Sequence, residues 1–146
     1  MITVKETLNV SAEAFFYQLL KSAAFDIRMA TGKEVREKQL HKGYTYTKKL
    51  KSKMGRTGEV RVKITELKAP VIYTAEFTSA SGKNIISYVI EPLEAEKITV
   101  TYTEDYQGET SSQNLNYRII SVFYKRSARK KTARKLHSIE EYIRKG

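Results

Sequence analysis

The chain has no cysteine and no tryptophan, and its 146 residues include only two prolines and two histidines. Without cysteine there is no disulfide framework, thiolate zinc site, iron–sulfur cluster or cysteine nucleophile. No segment approaches the roughly 18 apolar residues of a membrane span, and no basic stretch followed by an apolar run opens the sequence. We therefore expect one cytoplasmic domain covering residues 1–146.

Signatures of catalysis are also missing. His41 stands beside a turn and His137 falls on the charged side of the last predicted helix, where we expect it to be solvated. Neither indicates a Ser-His-Asp arrangement or a metal site. The glycines of residues 54–58 lack the spacing of a phosphate-binding loop. The sequence predicts no catalytic residue, no metal and no cofactor, and it favours a protein that is not an enzyme.

What the chain does have is positive charge, with 27 basic against 16 acidic residues and a net charge of +11. Residues 33–68 contain twelve basic and four acidic residues, and residues 118–146 contain ten and two. The intervening residues 69–117 contain two and seven. This uneven distribution indicates basic patches on a folded surface.

Hydrophobic periodicity predicts the elements of an α+β domain. Apolar residues alternate over residues 2–10, which predicts a strand, and Ser11 is placed to cap a following helix. A second short helix should end at Gly32. Turn residues then divide the chain into predicted strands near 37–41, 44–53, 59–67, 71–79, 84–90 and 97–106.

The last segment has no proline up to Lys145, and residues 110–113 (TSSQ) have the spacing of a capping box. A long C-terminal helix is therefore predicted. Its small residues Ala128 and Thr132 fall on the side that should face the sheet, where larger side chains would fill the space. This arrangement favours a void or groove beside them.

Short runs of sequence resemble known proteins. Residues 8–16 (LNVSAEAFF) resemble the opening of START, Bet v 1 and polyketide-cyclase-like (SRPBCC) proteins, in which a strand enters a capped helix with an aromatic pair. The chain also resembles a bacterial family, domain of unknown function 3284, at residues 7–11 (TLNVS), 26–27 (DI), 31–33 (TGK), 90–93 (IEPL) and 124–139.

The resemblance implies the helix-grip fold. In this fold a six- or seven-stranded antiparallel sheet wraps around a long C-terminal helix, with a short helix pair after the first strand. It also implies an apolar cavity between the sheet and that helix. Either the inward tyrosines fill the core, or they anchor a small apolar or aromatic ligand. The cavity candidates are Tyr46, Lys48, Tyr73, Phe77, Tyr88, Tyr102, Glu104, Tyr124, Ala128 and Thr132.

Two of these candidates are charged residues at inward positions. Lys48 alternates with Tyr46 and Leu50, and Glu104 lies between Tyr102 and Tyr106. A buried charge is costly unless it is paired. Either the two residues meet, or they lie at the cavity mouth, or a bulge reverses the alternation.

The basic C-terminal helix allows a second hypothesis, an interaction protein that docks an anionic partner. The residues concerned are Arg126, Arg129, Lys130 and Arg134. They would neutralise phosphates of a nucleic acid or an anionic membrane, although no aromatic residue follows closely after Tyr124 to stack on bases. A solvated helix face accounts for the same pattern. An enzyme of the polyketide-cyclase kind stays open as a third hypothesis, and the oligomeric state is not indicated.

Overall fold

The computed structural model describes the backbone of residues 1–51, 57–108 and 115–146, and the side chains of residues 1–49, 58–108 and 124–146. The elements follow in the order β1 (Ile2–Leu8), α1 (Ala12–Thr31), a 3-10 turn (Glu37–Gln39), β2 (Thr45–Lys51), β3 (Thr57–Lys68), β4 (Ile72–Ser79), β5 (Gly82–Glu94), β6 (Lys97–Gly108) and α2 (Leu115–Lys145).

The six strands form one antiparallel sheet in the order β1-β6-β5-β4-β3-β2. Helix α2 packs on β1 and α1, and α1 packs on β2. The predicted α+β class, antiparallel sheet and long C-terminal helix are confirmed, with six strands. Residues 110–113, the predicted capping box, lie outside the described residues.

Alternation along the strands gives the sheet an inner face, which packs against the helices, and an outer face. One row of the inner face runs from Val4 through Tyr102 and Tyr88 to Tyr73, each residue opposite the next in the neighbouring strand. Side chains opposite each other in neighbouring strands lie on the same face. The inner face therefore carries a continuous band of aromatic residues.

A single helix replaces the predicted helix pair. Ser11 accepts a hydrogen bond from the amide of Ala14 (3.1 Å), and Gly32 ends the helix in the left-handed conformation (φ 74°). The prediction of two helices was wrong because no glycine or proline interrupts α1 (Ala12–Thr31). Its N-terminal cap and C-terminal glycine therefore belong to one 20-residue helix.

The strand predicted near residues 37–41 was also wrong, since this segment holds the 3-10 turn. The side-chain oxygen of Gln39 accepts a hydrogen bond from the backbone N–H of Arg36 (2.9 Å). The backbone N–H of Gln39 donates in turn to the Arg36 carbonyl (2.9 Å). These local bonds satisfy backbone groups that a strand would pair with a neighbour.

The main core lies where the two helices meet β1, β5 and β6. It includes the fully buried Leu8, Phe15, Ile98 and Val100, and α2 contributes Leu136, which is only 1% exposed. As far as their residues are described, neither helix combines the length and apolar character that a membrane span requires.

Candidate functional site

A groove of about 710 Å³ opens between the middle of α1, the inner face of the sheet at β2, β4 and β5, and the last part of α2. Both helices and three strands, β2, β4 and β5, contribute to it. The lining residues are Gln18, Leu19, Lys21, Ser22, Ala23, Phe25, Asp26, Tyr46, Lys48, Tyr73, Ala75, Phe77, Ile86, Tyr88, Lys135, Ser138, Ile139 and Tyr142.

The floor of the groove is apolar and aromatic. Tyr73 and Tyr88 are cross-strand neighbours with ring centroids 6.4 Å apart, and Ala75 lies opposite Ile86. Because Ala75 is small, the sheet leaves space between the larger rings. Such a surface suits an apolar or aromatic molecule.

One corner of the groove is polar. The Tyr46 hydroxyl donates to Asp26 Oδ2 (2.5 Å), and Lys48 Nζ lies 3.2 Å from the same oxygen. The ammonium also lies 5.4 Å from the centroid of the Phe77 ring. Burial, together with the hydrogen bond to Asp26, raises the pKa of Tyr46 well above its ordinary value. The phenol is therefore a neutral donor throughout the physiological pH range.

The hydroxyls of Tyr73 and Tyr88 differ from that of Tyr46 in having no acceptor among the described residues. Neither donates a hydrogen bond to another residue in the described parts of the chain. Tyr88 is 7% exposed, and burial raises the pKa of both phenols to about 12. Two tyrosines that line the groove thus have neutral hydroxyl donors that the described residues leave unused.

The mouth of the groove lies between the helices. Phe25 of α1 and Tyr142 of α2 line it although 64% and 61% of their surfaces are exposed. Lys21 and Lys135 stand beside them, one on each helix. An apolar molecule at this mouth would meet an aromatic side chain and a cation from both sides.

Of the ten residues proposed from the sequence as cavity candidates, the groove contains Tyr46, Lys48, Tyr73, Phe77 and Tyr88. The other five lie outside its walls. Tyr124 is exposed, Thr132 is half-buried and Ala128 packs against the main core. The ligand role of the ten residues stays a prediction.

Lys48 and Glu104 do not meet. Lys48 faces the groove and pairs with Asp26, whereas Glu104 accepts a hydrogen bond from the Tyr102 hydroxyl (2.9 Å). The described part of β2 keeps its alternation at Lys48, which lies opposite Val60. Lys48 therefore lies at the polar corner of the groove, and its charge is paired with Asp26.

Asp26 is the residue that sequence reasoning missed. It falls seven positions after Leu19, on the side of α1 that also carries Ala23 and the buried Ile27. A single carboxylate on an apolar helix face is a signal that a partner stands opposite. The sequence did not identify the partners, Tyr46 and Lys48, because they are twenty residues or more away.

His137, expected to be solvated, instead joins α2 to β1. Its Nε2 lies 2.9 Å from Glu6 and its Nδ1 lies 3.0 Å from Glu140, with 48% of its side chain exposed. The Glu140 carboxylate also accepts the amide of Asn9 (2.6 Å). In the described residues no group of three or more His, Asp or Glu side chains is arranged to hold a metal ion.

The cations proposed for an anionic partner are all exposed. Arg126, Arg129, Lys130 and Arg134 form no ion pair with any side chain in residues 1–49, 58–108 and 124–146. Leu136, on the other side of α2, is buried. Packing of the apolar side thus directs the cations outward.

Comparison with known proteins gives a family and a fold. The family model described as "Domain of unknown function (DUF3284)" matches residues 2–125. No curated protein sequence matches the chain. A Staphylococcus aureus protein of unknown function, SA2116, is similar in structure with a TM-score of 0.62 and 13% identity, over 99% of this chain and 96% of that one.

Two further solved structures are similar to the chain. The ZhuI aromatase/cyclase from a Streptomyces species has a TM-score of 0.61 and 13% identity, over 98% of this chain and 92% of its own. Ara h 8.0201 has a TM-score of 0.57 and 15% identity, over 99% and 97%. The chain therefore has the helix-grip fold of Bet v 1-like proteins.

Proposed function

This chain belongs to the DUF3284 family, and we propose that it is a binding module that holds a small apolar or aromatic molecule in the groove between α1, the sheet and α2. The observation that carries the proposal is the groove itself. Its volume of about 710 Å³ lies within the range of drug-sized ligand sites, and its walls are aromatic and aliphatic.

Binding without turnover is the simpler function for this set of residues. The described lining has one carboxylate, Asp26, and it is paired with Tyr46 and Lys48. That lining contains no nucleophile hydrogen-bonded to a histidine base. The name of the similar aromatase/cyclase supports an aromatic ligand in a groove of this fold. We place the module in the cytoplasm, in keeping with its lack of cysteine.

A test of the groove uses N-phenyl-1-naphthylamine, an uncharged aromatic probe whose fluorescence rises in an apolar site. We expect it to bind the wild-type protein. Ser22→Trp places an indole in the groove from an exposed position on α1, and it should weaken binding at least about tenfold. Ser127→Trp makes the same change at an exposed position of α2 outside the groove, and it should leave affinity unchanged.

The proposal fails if the probe does not bind, or if both tryptophan variants weaken probe binding equally. Native mass spectrometry of protein purified without detergent complements this test, because a co-purifying small molecule would identify the ligand directly. Its mass should disappear from the Ser22→Trp protein and persist in the Ser127→Trp protein.

A second function is favoured by the exposed cations of α2, which form no ion pair with the side chains that the structure describes. We propose as the alternative that Arg126, Arg129, Lys130 and Arg134 dock an anionic partner, a nucleic acid or an acidic membrane surface. Several phosphate contacts would make such binding fall steeply with salt. Duplex DNA and phosphatidylserine vesicles, tested separately between about 50 and 200 mM salt, distinguish these partners.

Matched variants separate a docking face from general positive charge. Changing Arg126, Lys130 and Arg134 together to glutamine should flatten the salt dependence. The same loss of charge at Lys49, Arg61 and Lys63, which are exposed on the outer face of the sheet, should not. If neither polyanion binds the wild-type protein at about 50 mM salt, the face is only solvated.

A further inference from the structure

The charges that line the groove have an excess of one sign. Three ammonium groups reach it, from Lys21, Lys48 and Lys135, against the single carboxylate of Asp26. Lys21 and Lys135 are exposed, whereas Lys48 is half-buried, with 24% of its side-chain surface exposed. An ammonium that is partly removed from water interacts more strongly with a ligand charge than an exposed one does.

The hydrogen-bonding groups in the groove also favour an anionic ligand. Asp26 is already engaged by the Tyr46 hydroxyl and by Lys48. An ammonium has three N–H donors and no acceptor, so Lys48 retains donor capacity beyond Asp26. The hydroxyls of Tyr73 and Tyr88 donate to no other residue in the described parts of the chain. A ligand group that only accepts hydrogen bonds would match these donors.

A cationic ligand is disfavoured at the same place. An ammonium ligand would be attracted to the face of the Phe77 ring and to Asp26. Lys48 occupies that position itself, with Nζ 5.4 Å from the ring centroid and 3.2 Å from the carboxylate. A second cation would have to displace Lys48 or lie against it.

From these observations we propose that the ligand is an apolar molecule carrying one carboxylate, with the carboxylate at Lys48 and the apolar body over the sheet. The inference rests on the proposed function and specifies its ligand class. The apolar body would lie along Ala75, Phe77 and Ile86. Lys21 and Lys135 at the mouth would favour entry of the anion.

The test compares three twelve-carbon molecules that differ only in the head group: dodecanoate, dodecanol and dodecylammonium. Each competes with N-phenyl-1-naphthylamine at concentrations at which none forms micelles. We expect dodecanoate to bind about tenfold more tightly than dodecanol, and dodecylammonium to bind the least tightly. A tenfold ratio is the effect of one well-placed charge interaction of about 1.4 kcal/mol.

Variants then assign the preference to Lys48. Lys48→Gln should remove most of the advantage of dodecanoate over dodecanol. Lys49→Gln, on the opposite face of the same strand, should preserve it. Asp26→Asn should strengthen dodecanoate binding several-fold, since it removes the competing carboxylate and keeps an acceptor for Tyr46. A purely structural role of Asp26 would instead weaken all three competitors.

The outcomes separate the two proposals. If the uncharged probe does not bind, the groove is not a ligand site and both proposals fall. If the probe binds but dodecanoate competes no better than dodecanol, the carboxylate inference is wrong and the proposed function stands. A loss of dodecanol binding in Lys48→Gln equal to the loss of dodecanoate binding would also overturn the inference, because Lys48 would then act on groove shape alone.

Discussion

The inner face of the sheet has a filled half and an open half. In the filled half, β1, β5 and β6 meet both helices, and Phe15 lies in one cluster of fourteen buried residues. In the open half, which comprises β2 to β4, residues of β2 and β4 line the groove, and the buried residues described there form two clusters of three. The two halves share one sheet and one alternation of side chains, so packing by the helices accounts for the difference.

This contrast separates stability from binding. Burial of apolar side chains dominates the folding free energy, and most of the fully buried ones lie in the filled half. The open half has larger aromatic residues that are only half-buried, with polar groups paired at one corner. Substitutions should therefore affect the two halves differently.

Truncation of one phenylalanine in each half should give the largest loss of stability and the largest difference between the halves. Phe15→Ala leaves a closed cavity in the filled half, which typically costs about 3–5 kcal/mol. Phe77→Ala removes a ring that already borders open space, and we expect less than half that cost. Urea unfolding monitored by circular dichroism measures both. Equal costs would mean that the groove is closed in solution.

Removal of a single hydroxyl from each of two neighbouring tyrosines gives a smaller contrast. Tyr102 and Tyr88 have ring centroids 5.1 Å apart, but within the described part of the chain only the Tyr102 hydroxyl has a partner, Glu104. Tyr102→Phe should destabilise by about 0.5–1.5 kcal/mol, because a hydrogen bond is lost. Tyr88→Phe should leave stability nearly unchanged. A measurable stability loss in Tyr88→Phe would indicate that its hydroxyl is bonded.

The contact between α2 and β1 predicts a pH-dependent contribution to the filled half. Hydrogen bonds to Glu140 and Glu6 raise the pKa of His137 above its ordinary 6.5. Burial would raise the pKa of Glu140, but the Asn9 amide and His137 outweigh it and hold that pKa below its ordinary 4.5. The stabilisation from charged His137 is fully present below pH 6.5 and is lost as the pH rises through the raised folded-state pKa.

The stabilisation from ionised Glu140 depends on pH in the opposite direction. It is present above about pH 4.5 and is lost as the pH falls through the lowered folded-state pKa. The stability advantage of wild type over His137→Gln should therefore be largest between pH 4.5 and 6.5. With His137 half exposed, we expect at most about 1 kcal/mol. Urea unfolding at pH 5.5 and 8.5 measures it. If the stability advantage of wild type over His137→Gln were larger at pH 8.5 than at pH 5.5, the predicted pH dependence would be wrong.

Much of the fold could be predicted from the sequence because alternation is a local signal. The strands after residue 43 and the inward positions of Tyr46, Tyr73, Tyr88 and Tyr102 follow from period-two patterning. The helix pair was a wrong prediction because glycine and caps locate helix ends and cannot show whether an unmarked segment is interrupted.

The position of the groove could not be predicted in the same way. Ala128 and Thr132 are small, and they suggested a void beside the middle of α2. Ala128 instead packs against the main core, and the groove lies beside Ser138 and Tyr142. Where a helix crosses a sheet depends on the whole packed surface, including α1, and a one-dimensional pattern does not contain it.

The outer face of α2 belongs to neither half, and substitutions on it should have the smallest effect on stability and on ligand binding. Arg126, Lys130 and Arg134 are exposed and recur every four residues, a spacing at which like charges on a helix repel weakly. Changing all three to glutamine should shift the free energy of unfolding by less than about 0.5 kcal/mol. Their charges are screened over about 8–10 Å at physiological salt, so the affinity of the groove for dodecanoate should change less than twofold. Urea unfolding and probe competition on one preparation measure both quantities. A larger loss of stability would show that these side chains pack against the domain, and a larger loss of dodecanoate binding would extend the cationic site from the groove to this face.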